Sequence, residues 1–90
     1  MSDRGLFGEI AEMLVEVTGE DDAWRAAITE TTQLEGDLRL ESIEMLALAD
    51  RLGDRYGEAV DLRAYCAELD IDHLIGLTVG DVVSYVARHV

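Results

Sequence analysis

The chain has 90 residues, with 20 acidic against 7 basic side chains and a formal net charge of −13, a balance that argues against nucleic acid and anionic membranes as partners, because both need a positive surface. One domain spanning residues 1–90 fits this length, with a core of modest size, and the 49% of hydrophobic residues suits a folded chain. Cys66 is the only cysteine, which forbids an internal disulfide; with no apolar signal region at the N-terminus and no apolar run near the ~20 residues a bilayer span needs, the expected compartment is the cytoplasm.

Leu6, Phe7, Ile10, Met13, Leu14 and Val17 recur at helical spacing, and Gly19 follows as a stop. Asp21 or Asp22 is placed to cap a short helical turn carrying Trp24 and Ile28. From Thr29 to Glu41 the periodicity fails, and Thr31, Thr32 and Gly36 mark a loop pinned by Leu34, Leu38 and Leu40. Met45, Leu48, Ala49, Leu52 and Tyr56 then form one stripe, which predicts a helix over 42–56 ending at Gly57. The segments "LRAYCAEL" and "DIDHLIGL" read as one or two short helices. Thr78 and Asp81 have the spacing of a capping box, and Val79, Val82, Val83, Val86 and Val90 give the last helix a buried face. The expected fold is all-α: a small bundle of three long helices plus one or two short ones.

Independent catalysis is not expected. His73 and His89 are far apart in sequence, Cys66 has no cysteine partner, and no EF-hand spacing is present, so no metal site is expected. There is no G-x-S-x-G elbow to expose a nucleophilic serine. Of the three serines, Ser2, Ser42 and Ser84, only Ser42 stands at the head of a predicted helix. It reads first as a plain N-cap. Behind the core stripe, however, lies a second one of Ile43, Leu46, Ala47, Asp50 and Asp54, with Glu44 beside it. This half-apolar, half-acidic face is expected to meet solvent and suits docking to basic partners.

Over most of its length the chain resembles the acyl carrier proteins and their peptidyl carrier relatives. In "ITETTQLEGDLRLESIEM" a threonine-containing loop leads into Asp37, Leu38, Arg39, Leu40, Glu41, Ser42 and Ile43, similar to that family's D-L-x-x-D-S-L pattern. "DRYG" at Asp54–Gly57 resembles the end of the family's second helix, and "LTVGDVVSYV" the start of its last. The resemblance implies an acyl-carrier-protein-like bundle and a freestanding, non-catalytic carrier. Ser42 would be the attachment residue for 4′-phosphopantetheine, transferred from coenzyme A with Mg²⁺ by a phosphopantetheinyl transferase. It also implies a docking surface of Glu41, Ile43, Glu44, Leu46, Ala47, Asp50 and Asp54 for acyltransferase, ligase or synthase enzymes with basic patches. Glu41 stands for the family's usual aspartate, Ile43 for leucine, and Arg39 for a frequent glycine. Ala47 stands where fatty-acid carriers have an acid, and the 57–78 stretch is long. These departures point to polyketide or related specialised biosynthesis. Size and charge suit a monomer. The alternative is a helical interaction module or inactive carrier homologue in which Ser42 is only a helix cap.

Overall fold

Residues 3–90 are described in a computed structural model; Ser2 lies outside them. Leu6, Ile10, Ala11, Met13 and Leu14 are buried along one face of α1 (Asp3–Thr18). The helix stops because Gly19 turns to φ +75°, a left-handed conformation that favours glycine, while its N–H bonds Val15 O at 2.8 Å. The cap of α2 (Asp22–Ala26) is Asp21, whose Oδ1 accepts from the Trp24 N–H at 2.9 Å. Half-buried Trp24 packs on the core, and Arg25 ties α2 to α1 by donating to Gly8 O at 3.3 Å.

The loop that follows is fastened along its backbone to the start of α6 (Val79–Ala87). The Leu34 N–H donates to Leu77 O (2.9 Å), Val79 N–H to Thr32 O (2.9 Å) and Gly80 N–H to Glu30 O (2.8 Å). Gln33 and Thr78 form an antiparallel bridge; no strand occurs among the described residues. The predicted capping box is present: Thr78 Oγ1 accepts from the Asp81 N–H, and Asp81 Oδ2 from the Thr78 N–H, both at 3.1 Å. Between them, loop and box satisfy early donors that a helix start leaves without intrahelical partners.

Leu48, Ala49 and Leu52 bury the inner face of α3 (Ser42–Tyr56) against α1. Glu9 of α1 accepts a hydrogen bond from the Tyr56 hydroxyl at 2.7 Å and pairs with Arg55. These contacts hold the Glu9 carboxyl below its usual range, with the Tyr56 bond the larger cause, while burial and that same bond push the Tyr56 phenol up to about 12. Val60 and Leu62 are buried where the chain enters α4 (Leu62–Glu68), and α5 (Ile71–Ile75) follows. Tyr85 of α6 locks this entry: its hydroxyl accepts from the Asp61 N–H at 2.9 Å and donates to Asp61 O at 3.1 Å, and its ring stacks on Tyr65 with centroids 4.4 Å apart.

The fold is thus a small all-α bundle with one contiguous core, built mainly by α1, α3 and α6. Two details of the sequence reading change. Among the described residues the short helices number three (α2, α4 and α5) rather than one or two, because Asp21, Asp61 and Asp70 each cap a separate turn. Val90 is 58% exposed rather than buried, because α6 ends at Ala87 and leaves Val90 beyond the helical face; buried Tyr85 joins that face instead.

Gly80 is required by close approach, since a Cβ there would lie 2.8 Å from Glu30 O. Gly80→Ala is expected to lower stability by about 1–3 kcal/mol through overpacking. Gly8→Ala, on α1 with nothing within 4 Å of the added carbon, is expected to raise it by about 0.5–1 kcal/mol. Urea unfolding of both variants checks the contrast.

Candidate functional site

The site sits at the head of α3, where the loop seam delivers the chain. Leu40 is buried and its N–H bonds Leu34 O at 3.1 Å. Before it, Arg39 takes φ +54°, a left-handed conformation unusual for a side chain other than glycine. Glu41 is extended (φ −81°, ψ 163°) and occupies the N-cap; its carbonyl accepts from the Met45 N–H at 2.9 Å and its N–H donates to Glu44 Oε1 at 2.9 Å. Ser42 is therefore the first helical residue and not the cap. The reading of Ser42 as a capping serine is corrected by this geometry: the buried Leu40 sets the entry one residue earlier, and Glu44 ties back the N–H of Glu41. Ser42 is exposed, and its hydroxyl has no hydrogen-bond partner among the described residues.

Beside Ser42 opens a cavity of about 410 Å³, walled by Leu34 and Leu40 of the loop, Met45 and Leu46 of α3, Leu62 and Cys66 of α4, and Leu74 of α5. The lining is mainly apolar, with Glu35 and Arg63 as its charged members. Cys66 is half-buried, and burial pushes its thiol above the ordinary value, which favours the neutral thiol over a reactive thiolate. Neither histidine lines this cavity. His89 lies against the Tyr85 ring, and His73 is exposed on α5. Among the described residues no group of three or more His, Cys, Asp or Glu could hold a metal ion, and no helix is long and apolar enough to cross a membrane.

The outer face of α3 carries the rest of the predicted surface. Ile43 and Leu46 are 71% and 47% exposed, Ala47 and Glu44 are half-buried, and Glu41, Asp50 and Asp54 are exposed. Asp50 is not free: Arg63 of α4 donates to it at 2.8 Å across exposed surface. The sequence reading missed two features. Cys66 and Leu74 share a cavity with Ser42 although they are distant in the chain. Ile71, Leu74 and Ile75 of α5 are exposed, although their i, i+3, i+4 spacing is that of a core face. Comparison with protein-family models, curated proteins and solved structures finds no match for this chain.

Since Ser42 does not cap α3, Ser42→Ala is expected to leave stability within about 0.5 kcal/mol of wild type. Glu44→Ala removes the partner of the Glu41 N–H and is expected to cost about 0.5–2 kcal/mol; thermal or urea unfolding compares the two.

The α5 wall carries a pH-dependent pair. Asp70 Oδ1 accepts from the His73 N–H at 2.8 Å and lies 2.7 Å from His73 Nδ1. The backbone bond first, then the ring, lowers the Asp70 carboxyl; the bond to Asp70 raises His73. His73 thus stabilises α5 fully below its ordinary 6.5, and that contribution is lost as pH rises through its raised pKa. Asp70 contributes fully above its ordinary 3.8, and its share is lost as pH falls through its lowered pKa. The pair is at full strength between those two ordinary values. NMR titration is expected to place the His73 pKa above 6.5 in wild type, and Asp70→Asn to bring it down while preserving the cap.

Proposed function

We propose that this chain is a freestanding carrier protein of the acyl or peptidyl carrier type, with Ser42 as the attachment residue for 4′-phosphopantetheine. The observation that carries the reading is the state of Ser42: an exposed hydroxyl without a partner, on the first residue of a 15-residue helix, beside a mainly apolar cavity of about 410 Å³. Support also comes from the order of motifs that resemble this family and from Arg39. Its φ of +54° explains why glycine is suited to that position.

The residues present fit the group. The Ser42 hydroxyl is free to attack a phosphate of coenzyme A, held with Mg²⁺ by a transferase. The Ser42 O–P bond forms, the phosphoanhydride breaks, adenosine 3′,5′-bisphosphate leaves, and the hydroxyl proton passes to a base on the transferase. The N-terminal end of α3 favours the resulting phosphodiester charge. When attached, the group supplies a terminal thiol that holds acyl groups as thioesters. The chain itself anchors and presents; the acyl chemistry belongs to partner enzymes, so the chain is not an enzyme on its own.

Those partners are acyltransferases, ligases or synthases with basic patches. Their docking surface is the outer face of α3: Glu41, Ile43, Glu44, Leu46, Ala47, Asp50 and Asp54. Apolar Ile43 and Leu46 supply contact area, and the acids steer association. Ala47, where fatty-acid carriers have an acid, and the long 57–78 segment with its two short helices favour polyketide or related specialised biosynthesis, carried out in the cytoplasm by a monomeric carrier. The alternative is an interaction module or an inactive homologue, in which the capping role falls to Glu41 rather than Ser42.

The test is intact mass after incubation with coenzyme A, Mg²⁺ and a promiscuous phosphopantetheinyl transferase. A gain of one phosphopantetheine is expected in wild type and none in Ser42→Ala. No gain in wild type, with the transferase active on a control carrier, sinks the reading.

A further inference from the structure

On a chain with 20 acids and 7 arginines, an arginine without a carboxylate partner is unexpected. Arg25, Arg51, Arg55 and Arg63 each pair with an acid. Arg39 is exposed, and its guanidinium has no partner among the described residues. Carboxylates close to it in the chain are engaged elsewhere: Asp37 Oδ2 accepts from the Gln33 N–H at 2.8 Å, and Glu44 Oε1 from the Glu41 N–H at 2.9 Å. The backbone of Arg39 is also unusual. It is the one non-glycine residue with positive φ among those described, at +54°. Glycine takes that conformation without strain, whereas arginine is there at a cost, and such costs collect where a side chain has a use.

Its neighbours fix where it stands. Leu38 packs on the core and Leu40 is buried, so the side chain between them is turned out to solvent. The Arg39 N–H donates to Glu35 O at 3.1 Å, which ties the turn to the loop behind it. Three residues further on is Ser42, with its exposed and partnerless hydroxyl. Three residues of chain span at most roughly 11 Å between Cα atoms, and an arginine side chain covers much of that. A phosphate joined to Ser42 would meet the negative charge of Glu41 and Glu44. Arg63 lines the cavity beside Ser42 but is held by Asp50 at 2.8 Å. Arg39 is the unengaged cation.

We infer that Arg39 is a phosphate-binding residue, whose guanidinium pairs with the phosphate joined to Ser42. That this phosphate is the diester of a phosphopantetheine arm rests on the carrier reading. The planar fork of arginine donors matches phosphate oxygens. The pairing offsets the repulsion from Glu41 and Glu44 and gives the base of a flexible arm one fixed partner, on a loop that the seam with α6 holds in place.

The test uses full-length protein produced with phosphoserine at position 42, which needs no transferase, so its outcome is separate from that of the loading experiment. ³¹P NMR follows the second ionisation of this phosphate, ordinarily at about 6. Arg39→Gln is expected to raise that pKa by about 0.5, the scale of an exposed ion pair. Arg39→Gly, which the backbone accepts without strain, is expected to raise it equally, so that the guanidinium and not the turn is responsible. Arg39→Lys is expected to keep most of the wild-type value. Arg51→Gln removes an equal charge about 13 Å further along α3, beyond a screening length of about 10 Å at 0.1 M salt, and is expected to leave the pKa unchanged. In protein loaded from coenzyme A, the Arg39 Nε–H signal is expected to move from its position in unmodified protein. Far-UV circular dichroism verifies that each variant is folded. An unchanged phosphate pKa in Arg39→Gln, or an equal rise in Arg51→Gln, overturns the inference. A rise in Arg63→Gln alone also overturns it, by making Arg63 the partner. So does slower loading of Arg39→Gln by the transferase with the phosphate pKa unchanged, which assigns Arg39 to the transferase. If wild type gains no phosphopantetheine but the pKa rises in Arg39→Gln, the carrier reading fails and the pairing of Arg39 with a phosphate at Ser42 stands.

Discussion

The rest of the structure depends on a short backbone seam. Three N–H groups, of Leu34, Val79 and Gly80, donate across the gap between the 29–41 loop and the start of α6, at 2.8–2.9 Å. Each bond contributes only about 0.5–1.5 kcal/mol net, but leaving such a donor buried and unmade costs more than the bond returns. The seam therefore allows one register. That register needs a residue without a side chain at Gly80, places Leu34 and Leu40 in the core, and thereby delivers Glu41 to the cap and Ser42 to the first turn of α3. A loop with no regular structure of its own becomes the element that positions the site.

Electrostatics shape the surface more than the fold. The cross-element ion pairs, Arg25 with Glu12, Arg51 with Glu16, Arg55 with Glu9 and Arg63 with Asp50, are largely exposed, and such pairs contribute little individually. With 20 acids and 7 arginines, most carboxylates have no cationic partner. The excess favours encounter with basic surfaces and disfavours self-association. The apolar core holds the fold against that mutual repulsion: Leu6, Ile10, Leu14, Leu48, Leu52, Val82 and Val86 are each fully buried.

Around Ser42 these two properties meet. The core elements rigidly hold the head of α3, while the cavity beside it is closed on one side by α5, a five-residue helix that buries none of its side chains. Ser42 stands at a boundary between a core-held helix and a lightly held wall, with acids and exposed isoleucines on the outer surface, and the proposed anchoring role rests on that arrangement.

Much of this was determined by the amino-acid sequence alone. The stripes of α1 and α3, the Gly19 and Gly57 stops, the Thr78–Asp81 box and the acidic outer face of α3 all arise from residues three or four apart, whose mutual geometry a helix sets locally. What only the tertiary structure decided is non-local. The seam pairs residues more than 40 positions apart, and together with buried Leu40 and the bond from the Glu41 N–H to Glu44 it leaves the cap at Glu41 rather than Ser42. The cavity joins the loop, α3, α4 and α5. The early end of α6 puts Val90 in solvent. Ile71, Leu74 and Ile75 show the limit most plainly, since periodicity reveals that a helix has an apolar face but not whether another element arrives to cover it. On α1 and α3 such elements arrive, and on α5 none does.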